Sequence, residues 1–319
     1  MRIGVIGAGG MGREHSTNLA ALAGVAVVSV SDPVRDAAAA VAADVGARVV
    51  EDGFDMIRSD DLDGLVITSP DDTHAMYALA AIEMGMATLC EKPLAHSLEE
   101  AQAVVAAERA AGKDLIQIGL MRVFDPAHIE LRAALEDLGQ PLHIRCIHRN
   151  AHPRARPVGT VIVQSLVHDF HTIRWLSGAE VERVSTSFVG PADAVRYVHV
   201  TAQLSSGAVA TVEFDEQSYG YEVAVEVTAL DGVVTTGQSG AVAIRQDGQV
   251  RYEIGSDWFS RFHTAYRAEA TAWVDALRAG QGVAGPGAMD GLRSQAIADA
   301  AIESVETARA VTVPDVGVR

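Results

Sequence analysis

Three groups of residues have types and spacings that could do chemistry. The first is Gly7-Ala8-Gly9-Gly10-Met11-Gly12, a G-x-G-x-x-G. The apolar run Ile3–Ile6 leads into it, and an amphipathic segment from Arg13 to about Leu22 follows. Strand, glycine turn and helix together are the setting in which this motif binds a dinucleotide. Gly7 permits the tight turn, Gly9 lets the backbone approach a pyrophosphate, and Gly12 lets helix and strand pack closely. The helix start offers N–H groups and the positive end of its dipole to the phosphates. A second apolar run, Val25–Val30, ends at Asp32, twenty residues past Gly12. A carboxylate there can accept hydrogen bonds from an adenosine ribose and would repel a 2′-phosphate, so NAD is expected ahead of NADP.

The second group is Cys90-Glu91-Lys92-Pro93, which closes the run Ala87–Cys90. Strand ends of an open parallel sheet face the ligand crevice. Lys92 is therefore expected on the cofactor side, where a cationic donor can bind a substrate hydroxyl and favour its alkoxide. Glu91 arrives beside it, and the run Leu65–Thr68 brings Ser69 and His74 to the same edge. The third group is Gln164, His168, Asp169 and His171 on one helical pattern. Spacing of four puts Gln164 and His168 on one face. A histidine near a nicotinamide could take the hydroxyl proton as hydride leaves.

Other chemically suggestive residues support simpler readings. His148 and His152 are four apart, but they straddle a strand end and a loop, with no third ligand at zinc spacing, so no metal is expected. Cys90 reads as a buried strand-end thiol. Trp175, Trp258 and Trp273 read as core or interface residues.

The elements that must position these groups fall into two rhythms. Up to about Leu120, short β-branched runs (Ile3–Ile6, Val25–Val30, Leu65–Thr68, Ala87–Cys90, Leu115–Ile118) alternate with helical patterns at Arg35–Val45, Thr73–Met84 and Ser97–Ala111. That alternation predicts an α/β fold, a Rossmann-type doubly wound parallel sheet, over residues 1–120. Ser97-Leu98-Glu99-Glu100 matches a capping box.

Residues 121–319 change pattern. A helix (Pro126–Leu138), a strand (Leu142–Ile147), a Pro/Arg loop (His152–Pro157) and a helix at about Val161–Leu176 come first. Strand-like runs follow at Val181–Val189, Val195–Leu204, Ala208–Phe214, Glu222–Ala229, Val233–Thr235, Ala241–Arg245 and Val250–Ile254. Ser205-Ser206-Gly207, Asp231-Gly232 and Asp247-Gly248 suit hairpins. Helices at about Arg261–Ala279 and Gly287–Ala308 end the chain. This predicts an α+β substrate-binding domain with a large, mostly antiparallel sheet. A wide sheet leaves one face to cover, so a homodimer or homotetramer is expected.

Composition excludes some partners. In 319 residues, 42 acidic against 25 basic side chains give a net charge of −17. That argues against nucleic acid or an anionic membrane surface. Two cysteines without a C-x-x-C suggest a reducing, cytoplasmic setting. No apolar run is long enough to span a bilayer.

GAGGMG with His15 behind it, SPDDTH, Glu91-Lys92-Pro93, GLMRVFDP (Gly119–Pro126), YGYE (Tyr219–Glu222) and WFSRFHTAYRAEATAW (Trp258–Trp273) resemble the glucose–fructose oxidoreductase and inositol dehydrogenase family, its inositol 2-dehydrogenase branch in particular. The likeness covers essentially the whole chain. It implies an NAD(P)-dependent dehydrogenase that oxidises a secondary alcohol of a cyclic polyol or sugar. It also implies Lys92 at the reacting oxygen, His168 as acid/base, and Arg122, Asn150, Gln164 and Tyr219 as substrate contacts. The family pattern GGxxxDxxxH stands here as Gly159-Thr160-Val161-Ile162-Val163-Gln164-Ser165-Leu166-Val167-His168. Threonine replaces the second glycine and Gln164 the aspartate. Gln164 can orient the imidazole but brings no charge to it. Two other readings stand beside this one: a redox-neutral NAD-dependent lyase or glycosidase on the same fold, and an NAD-binding regulator whose Gln164 marks a degenerate site.

Overall fold

The computed structural model describes residues 1–59, 62–151, 154–216, 220–236, 243–246, 249–252 and 257–317. The chain forms two compact units, each discontinuous in sequence: Met1–Met121 with Tyr266–Gln295, and Arg122–Ala265 with Ala296–Arg319. The stretch 266–295, which the linear reading gave to the second domain, thus packs with the first.

In the first unit, strands β1 (Arg2–Ile6), β2 (Ala26–Ser31), β3 (Arg48–Val49), β4 (Gly64–Ile67), β5 (Thr88–Cys90) and β6 (Ile116–Ile118) form a six-stranded parallel sheet in the order β3-β2-β1-β4-β5-β6. Its helices are α1 (Gly10–Ala20), α2 (Arg35–Val45), α3 (Gly53–Ile57), α4 (His74–Glu83) and α5 (Leu98–Ala111). Both β3, two residues long, and α3, five, are too short to show a period. Ile3, Val5, Val30, Val66 and Leu89 have no exposed surface. Continuous apolar runs of this kind are what a sheet covered on both faces requires. The Ser97–Glu100 capping box is present in full at the start of α5. The strand order reverses between β1 and β4, and such switch points are where open α/β sheets bind ligands.

The second unit contains α6 (Pro126–Leu138), β7 (Pro141–Arg149), α7 (Val158–Val161) and α8 (Val167–Ser177), then β8 (Val181–Val189), β9 (Tyr197–Leu204), β10 (Val209–Asp215), β11 (Glu222–Ala229) and β12 (Gly232–Thr235). A separate hairpin, β13 (Ala243–Gln246) with β14 (Gln249–Tyr252), stands apart from the main sheet. Helix α9 (Trp258–Arg278) and helix α10 (Ala288–Thr307) each run through both units, and β15 (Val311–Thr312) ends the order. The sheet β12-β11-β7-β10-β9-β8-β15 is antiparallel except for the β7–β10 pair. Along β7 and β11 buried residues alternate with half-buried ones. The buried row of β7, Ile144, Cys146 and His148, therefore shares the face whose core includes Phe170 and Ile173 of α8. Tyr219, His152 and the Asp247-Gly248 turn lie outside the described residues.

The helix expected at about Val161–Leu176 is not uniform. Between α7 and α8, residues Ile162–Leu166 form a π-helical turn that carries Gln164. Single π turns inside α-helices are frequent at functional sites.

Candidate active site

In the first unit the glycine turn is built around close backbone approaches. Gly7 has φ +99°, and a Cβ there would stand 2.4 Å from the Thr68 carbonyl. A Cβ on Gly12 would lie 2.0 Å from the Gly7 oxygen, so neither position admits a side chain. Thr68 clasps the turn, its hydroxyl donating to the Gly7 carbonyl at 2.9 Å. Gly9 differs. Among the described residues, a Cβ there would have no neighbour within 4 Å, and no side chain caps the helix that Gly9 opens. The turn is tight where strand and helix meet and open where α1 presents its first N–H groups. That fits a pyrophosphate. Ala8, Gly10 and Met11 lie in the same turn and the first residues of α1.

Asp32 follows β2, as the motif spacing predicts. Its two oxygens accept from the Ala8 and Val34 backbone N–H groups at 2.7 and 2.8 Å. The carboxylate thus ties the end of β2 to the glycine turn. His74 is buried, and its ring nitrogens lie 2.6 Å from the Pro93 carbonyl and 2.8 Å from that of Ser69. Its position explains a bridge between two strand-end loops better than direct contact with a cofactor. The Ser69 hydroxyl accepts from Thr73 at 2.6 Å.

Lys92, half-buried, follows β5. Because the sheet is parallel, it reaches the same edge as the glycine turn. Glu91 is buried beside it, with Oε1 2.9 Å from His15 Nε2 and Oε2 accepting from the Lys92 backbone at 3.2 Å. Burial alone would raise the Glu91 pKa, but the His15 hydrogen bond and the charges of His15, Lys92 and His74 bring it below the ordinary carboxylate value. The sequence reading passed over His15 as a site residue.

In the second unit several of the candidate side chains belong to a buried polar network. Arg122 Nη1 donates to Asp169 Oδ1 at 2.5 Å, and His148 Nδ1 lies 3.1 Å from Asp169 Oδ2. Arg122 is 2% exposed and Asp169 0%. Burial opposes ionisation of Asp169, but Arg122 and His148 outweigh it and take the carboxyl down to about 2. Burial also lowers the His148 pKa despite that carboxylate. Arg122, a candidate substrate contact from the resemblance, is thus committed to this pair. Asp169 points to Arg122 and His148.

Asn150 donates to Glu216 at 2.9 Å, and Arg156 makes two 2.7 Å bonds to the same buried carboxylate. Arg156 also donates to the Ser165 hydroxyl at 3.3 Å, which fastens the π turn next to Gln164. Gln164 is exposed, and His168 is 9% exposed in the first turn of α8. Among the described residues, no group of three or more His, Cys, Asp or Glu could hold a metal ion. No helix among them is long and apolar enough to cross a membrane.

Fold and glycine turn define an NAD-binding oxidoreductase. Residues 1–119 match the family model described as oxidoreductase family, NAD-binding Rossmann fold, and residues 135–313 match its C-terminal alpha/beta domain. The chain belongs to this Gfo/Idh/MocA oxidoreductase family. It is 37% identical to an inositol 2-dehydrogenase of Rubrobacter xylanophilus over 96% of this chain and 91% of the relative. It is 35% identical to one from Klebsiella pneumoniae over 98% and 96%. The structure of myo-inositol dehydrogenase from Lactobacillus casei, in complex with NAD(H) and myo-inositol, superposes with a TM-score of 0.95 at 28% identity, covering 100% of this chain and 98% of that one.

Proposed function

We propose that this protein is an NAD-dependent dehydrogenase that oxidises a secondary hydroxyl of an inositol-like cyclic polyol. The observation that carries the chemistry is Lys92 at the carboxyl end of β5, on the edge of the sheet that bears the glycine turn. NAD, held through the backbone of Gly7–Gly12, would supply the hydride acceptor. Lys92 binds the reacting oxygen and stabilises negative charge as it develops there. His168 takes the hydroxyl proton. Gln164 orients the imidazole by hydrogen bonding, and Asn150 contacts the remaining hydroxyls. Arg122 acts through Asp169 and His148, by fixing the start of α8.

The test is NADH formation, read by absorbance, with NAD and then NADP against inositol isomers and common aldoses. Growth of signal with NAD and a cyclic polyol is expected. A flat trace across the panel, with NADH binding confirmed by fluorescence, would overturn the dehydrogenase and favour a regulator or a redox-neutral enzyme. We place the protein in the cytoplasm because both its cysteines, Cys90 and Cys146, are buried free thiols. We infer a homo-oligomer formed through the outer face of the seven-stranded sheet, and sedimentation showing only monomer at micromolar concentration would remove that inference.

A further inference from the structure

Behind Lys92 the first unit buries ionisable side chains to which the proposed reaction gives no role. Glu91 is packed so closely that a Cβ on Gly119 would touch its carboxyl at 3.0 Å. The His15 ring, bonded to Glu91, meets Tyr266 of α9 edge-on at 6.2 Å between centroids. Glu269 lies three residues further along α9, on the same helix face. It is 0% exposed, and among the described residues neither of its carboxyl oxygens has a hydrogen-bond partner. The His15 Nδ1 is likewise buried without one.

A carboxylate left in such a place has lost its hydration and gained no donor, so the neutral acid is strongly favoured. Burial first, and then the charge of Glu91, push the Glu269 pKa well above the ordinary carboxylate value. Glu91 is shifted the other way, because His15, Lys92 and His74 support its charge. Two carboxyls whose surroundings push them apart divide between an acid and a base role. The titratable groups facing the pair are His15 from α1, His74 from α4, Lys92 after β5 and Tyr266 from α9. Cys90 stays neutral, its thiol pushed up by burial and by Glu91.

We propose that Glu91 and Glu269 hold one proton between them, Glu269 as the buried acid and Glu91 as the carboxylate, and that Glu269 is thereby a positioning residue for Lys92. A neutral Glu269 leaves a single negative charge behind the lysine, enough to hold it as an ammonium without placing two carboxylates in one desolvated space. The proposal rests on the reading of Lys92 as the group at the reacting oxygen.

The experiment is infrared spectroscopy of the full chain labelled with 13C-glutamate, with pH profiles of turnover on the same preparations. A protonated-acid carbonyl band is expected at pH 7, lost in Glu269→Gln and kept in Glu108→Gln. The control is needed because Glu108 is another acid whose pKa burial raises. In Glu91→Gln, loss of the like charge should let the band titrate away about one pH unit lower. Loss of the negative partner of Lys92 should move the alkaline limb of kcat down by a similar amount. Absence of the band at pH 7, its loss in Glu108→Gln instead, or both midpoints unmoved in Glu91→Gln would overturn the proposal. Should Glu269→Gln not fold, the wild-type band and its midpoint in Glu91→Gln decide. Protein that reduces NAD but lacks the band loses the acid pair and keeps the dehydrogenase. Protein with the band but no NADH formation on any polyol loses the dehydrogenase and, with it, the role given to Lys92.

Discussion

At the end of β1, functional atoms are positioned by backbone. Gly7, Gly12 and Thr68 approach so closely that only glycine fits two of the three places, and the groups offered to a ligand are peptide N–H groups. At the start of α8 they are positioned by side chains. Arg122, His148 and Asp169 come from a 3-10 turn, a strand end and a helix, and a π turn sets the phase of Gln164. A backbone-built site demands particular residues at fixed spacing along one stretch of chain. A side-chain network can be assembled from distant positions and rewired by single substitutions, as Gln164 in place of the family aspartate illustrates.

The largest effect should come from breaking the backbone-built region. In Gly12→Ala the new methyl meets the Gly7 carbonyl, so strand and helix must separate. Affinity for NADH, measured by fluorescence titration, should fall at least about 100-fold, roughly 2.7 kcal/mol, together with the melting temperature. Gly9→Ala sharpens the point. Among the described residues nothing lies within 4 Å of that methyl, so the melting temperature should hold while affinity falls, because the methyl occupies the space the pyrophosphate needs. A Gly9→Ala protein that binds NADH normally would break the assignment of the cradle.

Lys92→Ala should lower kcat by about 10²–10³-fold, the scale for removing one donor to a developing oxyanion. Binding of NADH should change only a few-fold, and near-normal turnover would sink the role given to Lys92.

These regions were unequally legible in the sequence. The alternating runs and the glycine spacing yield the parallel sheet and the cradle, because a doubly covered sheet needs continuous apolar strands and a tight turn needs glycine. The pairing of Asp169 with Arg122 and His148 leaves no periodic trace, since its members lie 21 to 47 residues apart. The π turn was equally hidden, because its pattern differs from an α-helix by one residue. The return of 266–295 to the first unit could have been suspected. Tyr266, Glu269, Ala270, Trp273 and Val274 share one face of α9, and all five are buried. A glutamate on a buried face is the signal that would have found Glu269.

The network around Asp169 offers a stability test. Its folded pKa of about 2 lies below the unfolded value near 3.9. Its contribution is therefore present above about pH 5 and is lost as pH falls towards 2. Asp169→Asn leaves Arg122 buried without its counter-charge and should cost about 3–5 kcal/mol at pH 7 in urea denaturation. The gap between variant and wild type should narrow as pH drops from 5 to 2. A gap that stays constant would mean that Asp169 is not held ionised by Arg122.

The smallest change, and the one that separates packing from chemistry, is Gln164→Asp. Gln164 is exposed, and the melting temperature should stay within a degree or two. Four residues across a π turn rotate by somewhat less than a full circle, against somewhat more in an α-helix, so Gln164 and His168 remain on one side. A carboxylate there would favour the imidazolium, raise the His168 pKa and make the ring a stronger base. The acid limb of kcat should move to higher pH by up to about one unit, and turnover on inositol-like substrates above that limb should rise a few-fold. A rise would show that the missing charge limits the reaction. An unmoved limb would mean that Gln164 does not face His168, and a moved limb with lower turnover would mean that the side-chain network has been set for a substrate that needs the uncharged amide.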